Sequence, residues 1–373
     1  MYNILKKVGL TLAAASIVLS GAACSATRGG EDASSGSAGG DTLIGVSMPT
    51  KSLERWNRDG QHLEELLKSD GFGVSLQYAD NKVEQQISQI ENIINDGPEV
   101  LVVAPIDGSA LGPVLAQAKQ AGISVIAYDR LILDTADIDY YATFDNYQVG
   151  QLQGKYIEQT LGLADGKGPF NFEPFSGSPD DNNARFFFEG AWDVLQPYVQ
   201  SGQLVVPSGK APASVDNWQS IGIQAWAATA AQSEMETRLN SFYQDKSVDA
   251  VLAPNDALAL GIAQALESAG YTSDNWPVLT GQDADQANVE NILGGKQSMT
   301  VWKDTRKLSD QVARMVSQIV NGETVEVNDT TSYDNGKVVV PSYLLTPIVI
   351  TKDNVQSELV DSGFYSPSDL GLS

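Results

Sequence analysis

The side chains of this 373-residue chain best suited to chemistry follow short apolar runs and form no compact motif. Arg55 and Trp56 come after Leu43-Ile44-Gly45-Val46, Asp107 after Val100 to Pro105, and Asp129 with Arg130 after Val125 to Tyr128. Phe170 to Phe175 is followed by Asp180, Asp181, Asn182, Asn183 and Arg185, and Val251 to Pro254 by Asn255 and Asp256. Gln282 and Asp283 follow Val278 to Gly281, and Lys303 follows Met299 to Trp302. An Asp or Asn in such a place ordinarily caps a helix or forms a turn, and helix-forming sequence follows both Asp107 and Asn255. Capping does not account for Arg55, Arg130 and Lys303, because cations are disfavoured near helix N-termini. Carboxylates accept hydrogen bonds, Arg and Lys donate them and Asn does both. Bonds to charged groups are also among the stronger ones. Such a mixture suits a ligand rich in hydroxyls. Trp56 and Trp226 offer flat apolar faces for the C–H side of a sugar ring, or are ordinary core or surface residues.

Other chemistries fit less well. One cysteine, Cys24, and one histidine, His62, leave no internal disulfide framework, no thiolate metal cluster and little room for imidazole catalysis. His62 opens the run His62-Leu63-Glu64-Glu65-Leu66-Leu67 and reads as a residue on an amphipathic helix face. Asp180-Asp181-Asn182-Asn183 has the residue types of a calcium loop without its Gly turn or its downstream bidentate Glu. The chain carries no Gly-x-Gly-x-x-Gly, no Walker A loop and no Gly-x-Ser-x-Gly elbow, so neither phosphate cradling nor a nucleophilic Ser is expected. No cofactor and no metal is expected. Paired carboxylates for glycoside cleavage stay open, because the separation that matters is spatial. The formal net charge of −24 repels nucleic acid and anionic headgroups and favours solubility.

The elements that must position these residues alternate. Apolar, β-branched runs recur from Leu43 to Trp302, separated by stretches with helical spacing such as Val83, Ile87, Ile90, Ile93 and Ile94. Strands alternating with helices imply βαβ units and parallel sheets, and ligands of such sheets bind beyond the carboxyl ends of the strands. Nine strands are many for one compact sheet, so the expectation is α/β architecture in two doubly wound parallel-sheet lobes, the chain crossing between them more than once. Tyr140 to Asn146 reads as an extended crossover. The tail from Val338 to Thr351 reads as extended, with Pro341 and Pro347 favouring sheet edges.

The N-terminus reads as an address. Lys6 and Lys7 precede an apolar run from Val8 to Leu19, then Gly21-Ala22-Ala23 and Cys24. This is the layout of an export signal, and the run is short for a membrane span. Residues 1–23 are expected to be a signal peptide. The segment resembles a bacterial lipoprotein signal, with Gly21 in place of the usual larger aliphatic residue, and the resemblance makes Cys24 a lipidation site. Residues 24–40, rich in Gly and Ser, are expected to form a flexible tether.

From about residue 43 to 350 the chain resembles the xylose-binding and multiple-sugar-binding periplasmic proteins of bacterial ABC importers, within the ribose- and galactose-binding group. The resemblance rests on Leu53-Glu54-Arg55-Trp56, Gln89-Ile90-Glu91-Asn92, Ile126-Ala127-Tyr128-Asp129-Arg130, Phe144-Asp145-Asn146 and Gly177-Ser178-Pro179-Asp180-Asp181-Asn182-Asn183-Ala184. It rests equally on Asn255-Asp256-Ala257, Gly281-Gln282-Asp283-Ala284-Asp285 and Met299-Thr300-Val301-Trp302-Lys303. It implies the type I periplasmic-binding-protein clamshell, with two lobes joined by a three-strand hinge. The division expected is 41–148 plus 285–321 in the N-terminal lobe and 149–284 plus 322–373 in the C-terminal lobe. The sugar-binding residues it implies are Arg55, Asp107, Asp129, Arg130, Asp181, Asn183, Trp226, Asn255, Asp283 and Lys303, with Trp56, Glu173 and Arg185 as further candidates. The implied partners are a monosaccharide such as xylose, glucose, galactose or fructose, the membrane permease of an ABC importer, and the outer face of the cytoplasmic membrane through lipid on Cys24. Nucleic acid is not among them. Sugar sensing for a membrane receptor, and a secreted carbohydrate-active enzyme, are the alternatives.

Overall fold

The structure is a computed structural model that describes residues 42–372. The expected signal peptide, the tether and Cys24 lie outside the described residues.

The first lobe is built on β1 (Leu43–Met48), α1 (Glu54–Ser69), β2 (Gly73–Tyr78), α2 (Val83–Asn95), β3 (Val100–Val103), α3 (Gly112–Gln120), β4 (Ser124–Tyr128) and β5 (Tyr140–Phe144). The chain then forms α4 (Asn146–Leu161), β6 (Phe170–Pro174), α5 (Asn182–Ser201), β7 (Leu204–Val205), α6 (Ala228–Phe242), β8 (Ala250–Leu252), α7 (Asp256–Ser268) and β9 (Val278–Leu279). It ends with α8 (Gln286–Gly294), β10 (Thr300–Trp302), α9 (Thr305–Val320), β11 (Ser342–Leu345) and β12 (Ile348–Ile350).

The first sheet is parallel throughout, in the order β11-β5-β4-β3-β1-β2. Its β3, Val-Leu-Val-Val, is apolar at every position because helices cover both faces. Val100 and Val102 pack with Leu63 and Leu67 of α1 and Leu308 and Val312 of α9. Leu101 and Val103 face the other way, onto Ile90 and Ile93 of α2 and Val114 and Leu115 of α3. The second sheet, β7-β6-β8-β9, is also parallel. A bridge between Gln282 and Val301 extends it to β10, which pairs antiparallel with β12. Helices α4 and α5 approach to backbone contact. A Cβ on Gly150 would stand 2.0 Å from the carbonyl of Phe187, and one on Gly190 2.0 Å from that of Tyr147, so only glycine fits at either point. In both sheets the strand order reverses, between β1 and β3 and between β6 and β8, and each reversal opens a crevice at the carboxyl ends.

Three expectations are corrected. Tyr140 to Phe144 is not a crossover but the fifth strand of the first sheet; the crossing follows it at Asp145. Residues 285–302 do not belong to the first lobe. Val289 and Ile292 of α8 and Trp302 of β10 share a core with Ile350, Val355 and Leu359, on the second-lobe side. Residues 322–345 do not belong to the second lobe. β11 pairs with β5, while Tyr333 and Val340 fill the core beneath the first sheet. The reason is pairing geometry, since β10 and β12 complete one sheet and β11 the other. The chain therefore crosses three times, at Asp145, between β10 and α9, and between β11 and β12. The first and third crossings are joined where the Asp145 N–H donates to the Leu345 carbonyl at 2.9 Å. The tail meets the edge expectation, since β11 closes the first sheet and β12 touches only β10.

Candidate functional site

Where the two crevices face each other, the lobes close on a narrow cavity with about 20 Å³ of free space. From the first lobe come Arg55 and Trp56, in the first turn of α1, and Asp129 and Arg130, just past β4. From the second come Asp181, which caps α5, with Asn183 and Phe187 on that helix, and Trp226. Asn255 caps α7, Gln282 and Asp283 follow β9, and Lys303 follows β10. These positions are the carboxyl ends of strands or the first turns of the next helices, so the winding of the sheets brings together residues up to 248 positions apart.

The charges balance. Three cations, Arg55, Arg130 and Lys303, line the cavity beside three carboxylates, Asp129, Asp181 and Asp283. Arg55 is the hub. Its guanidinium donates to Asp59 one turn along α1 at 2.8 and 3.2 Å, to Asp129 at 3.0 Å, and across the lobes to Asp283 at 3.4 Å. Asp59 answers the question of a cation at a helix N-terminus, because an i, i+4 carboxylate compensates it locally. Lys303 Nζ lies 3.2 Å from Asp283 and 3.8 Å from Asp129. Arg130 pairs across the lobes with Asp181 at 2.8 Å and donates to the Pro105 carbonyl at 3.1 Å. Burial works against the Arg55 charge, but Asp129, Asp59 and Asp283 hold the guanidinium well above its ordinary range. Burial likewise raises the Asp129 carboxyl, and Arg55, Lys303 and Arg130 outweigh it and hold Asp129 below the usual carboxylate range. Asp181 goes the other way, because burial raises it more than Arg130 lowers it.

Aromatic faces complete the walls. The Arg55 and Arg130 guanidinium groups lie 4.5 and 5.1 Å from the Trp56 ring, within cation–π range. The Trp226 indole N–H donates to Asp181 at 3.2 Å. Its ring fills the space over Gly177, where a Cβ would stand 2.0 Å from it. Asp129, Trp226 and Asp283 all hold positive φ, at 61°, 53° and 102°. Non-glycine residues hold such backbone only when their surroundings force it, and they cluster at functional sites.

Chemically the site sets hydrogen-bond donors and acceptors side by side. Asp129 is locked by cations in its ionised form, an acceptor and not a proton donor. The Asn255 Oδ1 caps α7 through the Leu258 N–H at 3.1 Å. Its NH₂ group donates to no other side chain or carbonyl among the described residues, which leaves it for a ligand.

A family model described as periplasmic binding protein domain matches residues 44–324. The chain belongs to that family. It is 47% identical, over 329 residues, to the multiple sugar-binding periplasmic receptor ChvE of Rhizobium radiobacter, a match spanning 88% of this chain and 92% of that one. With the D-xylose-binding periplasmic protein of Escherichia coli it shares 38% identity over 330 residues, spanning 88% and 93%. An ABC transporter solute-binding protein from Clostridium phytofermentans, solved with bound β-D-glucose, superposes with a TM-score of 0.85 at 51% identity, covering 88% of this chain and 100% of that one. Family members of this kind are binding proteins, and this chain is not an enzyme.

Nine of the ten residues expected at the site line the cavity, and Trp56 joins them. Asp107 does not. Its side chain accepts from the Ser109 N–H at 2.8 Å, a local turn, and faces an outer groove that Arg185 also lines. Arg185 is exposed there, on the face of α5 away from the cavity. Glu173 is buried inside the second lobe, where it accepts from Arg238 at 3.0 Å and Tyr243 at 2.7 Å. Leu53, Phe187 and Gln282 line the cavity without being among the expected sugar-binding residues. Gln282 had a signal, its place beside Asp283 at a strand end.

Proposed function

We propose that this chain is the exported substrate-binding component of an ABC sugar importer, capturing a monosaccharide between its lobes and delivering it to a membrane permease. The cavity carries the reading. Balanced donors and acceptors with aromatic faces, contributed by both lobes, suit an uncharged, hydroxyl-rich ring and give neither lobe a complete site alone. The relatives' sugars support it, since glucose, xylose and several sugars are named for them. Ligand contacts from both lobes stabilise the closed arrangement, which is how ligand binding shifts such an equilibrium. The residues proposed to hold the sugar are Arg55, Trp56, Asp129, Arg130, Asp181, Asn183, Trp226, Asn255, Asp283 and Lys303. The export signal, lipid on Cys24 and the tether would place the chain on the outer face of the cytoplasmic membrane.

A thermal-shift screen of D-glucose, D-xylose, D-galactose, L-arabinose and D-fructose tests the proposal. A sugar at about 100 times its Kd adds about 2.7 kcal/mol to stability, so at least one should raise the melting temperature clearly. No response to any of the five refutes sugar capture.

A further inference from the structure

Most polar side chains of the cavity are already committed. Arg55, Arg130 and Lys303 are paired with carboxylates, Asn183 donates to the Asp129 carbonyl at 2.7 Å, and the Asn255 oxygen caps a helix. Gln282 is different. It lines the cavity and is 2% exposed, yet its side-chain oxygen Oε1 is buried with no hydrogen-bond partner among the described residues. No described group accepts from its Nε2 either. Buried polar atoms are seldom left unpaired in native proteins; among the described residues several are, and of these Gln282 Oε1 and the Trp56 indole N–H belong to residues that line the cavity, where a ligand can supply the partner.

The backbone beneath it is fixed. The Gln282 carbonyl accepts from the Asp256 N–H at 2.9 Å, and the Gly281 carbonyl from the Val301 N–H at 3.0 Å. The Asp283 N–H donates to the Val301 carbonyl at 2.9 Å. From α4, the Gln153 side chain donates to the Gly281 carbonyl at 2.9 Å. A side-chain amide held on so rigid a strand end is preorganised for one ligand position.

We propose that Gln282 is a specificity-determining residue whose side-chain amide reads one hydroxyl of the bound sugar. The inference rests on the sugar-binding reading above. The amide carbonyl accepts a hydrogen bond from that hydroxyl and the NH₂ group donates one to a neighbouring oxygen, so a sugar lacking the hydroxyl leaves the carbonyl unpaired. Sites built to hydrogen-bond a hydroxyl reject analogues without it far more strongly than apolar pockets discriminate size.

Titration calorimetry on the whole protein tests this, using whichever of D-glucose and D-xylose binds the wild type more tightly, together with its monodeoxy analogues. Gln282→Met and Gln282→Leu keep most of the volume and remove the amide. Both should weaken the parent sugar about tenfold or more, while one monodeoxy analogue binds wild type and variants alike. Ligand-free melting temperatures should match the wild type. Unchanged affinity for the parent sugar overturns the proposal, as does equal weakening across the parent and every monodeoxy analogue. A wild type that binds none of these sugars overturns the sugar-binding reading with it, whereas a binding wild type with unaffected variants overturns the role of Gln282 alone.

Discussion

Two buried ion pairs of similar length do different work. Arg130–Asp181, at 2.8 Å, joins the lobes across the cavity, whereas Arg238–Glu173, at 3.0 Å, lies within the second lobe. Removing one partner of a buried pair strands the other charge and costs about 3–5 kcal/mol. Glu173→Ala should therefore lower the unfolding free energy by about that much in urea denaturation and leave sugar affinity unchanged. Asp181→Ala should chiefly weaken sugar binding, because Arg130 and the Trp226 N–H lose their partner at the cavity wall. Equal sugar affinities for wild type and Asp181→Ala would refute its place in the site. The strand-end rule found most of these residues because a crevice must lie beyond the carboxyl ends. It also explains why Glu173 does not belong there. Glu173 sits inside β6, where alternation turns it toward Arg238 of α6, and it stops short of the crevice. Leu53 and Phe187 were not legible, because an apolar wall residue and an apolar core residue look alike in sequence.

At the scale of elements, helix starts do double duty. Asn255 both caps α7 and faces the cavity, and the two roles separate by substitution. Asn255→Ser keeps a capping oxygen and removes the amide donor. It should melt close to wild type and bind sugar more weakly by about 1–3 kcal/mol. Asn255→Ala should show that loss and a further stability deficit of about 1 kcal/mol for the missing cap. Thermal melts of the two ligand-free variants that coincide would remove the capping role; calorimetry that shows wild-type affinity for Ser would remove the ligand role. The strands and helices themselves were legible, because fully covered parallel strands read as apolar runs and their crossover helices as spaced ones. Their assignment to lobes was not. Whether Thr300-Val301-Trp302 or Ser342-Tyr343-Leu344-Leu345 joins the first or second sheet is decided by long-range pairing with β12 and β5, and no local pattern encodes it.

The whole molecule is held closed by groups that span the lobes behind the cavity as well as inside it. Arg58 of α1 reaches Asp285 of the second lobe at 3.3 Å and donates to the Tyr365 hydroxyl at 3.0 Å. Glu54, from the same turn of α1, accepts from that hydroxyl at 3.2 Å. Burial pushes the Asp285 carboxyl up to about 7, with the charges of Asp283 and Glu54 adding and those of Arg58 and Arg55 opposing. Asp256, whose carboxylate accepts from the Asp285 N–H at 2.9 Å, is also raised, by its burial and by the Asp285 charge. A carboxyl raised in the folded state binds a proton there that the unfolded chain has released. Stability therefore falls as pH rises from the ordinary Asp value of 3.8 through about 7. Asp129 is shifted the opposite way, so its contribution is complete above the ordinary carboxylate range and does not oppose the trend in this window. The urea midpoint of the ligand-free protein should accordingly be higher at pH 5.5 than at pH 8. Asp285→Asn, which cannot ionise at that position, should flatten the slope between those two pH values. A wild-type midpoint that is level or rises across the interval, or a variant that keeps the full slope, would remove Asp285 as its source.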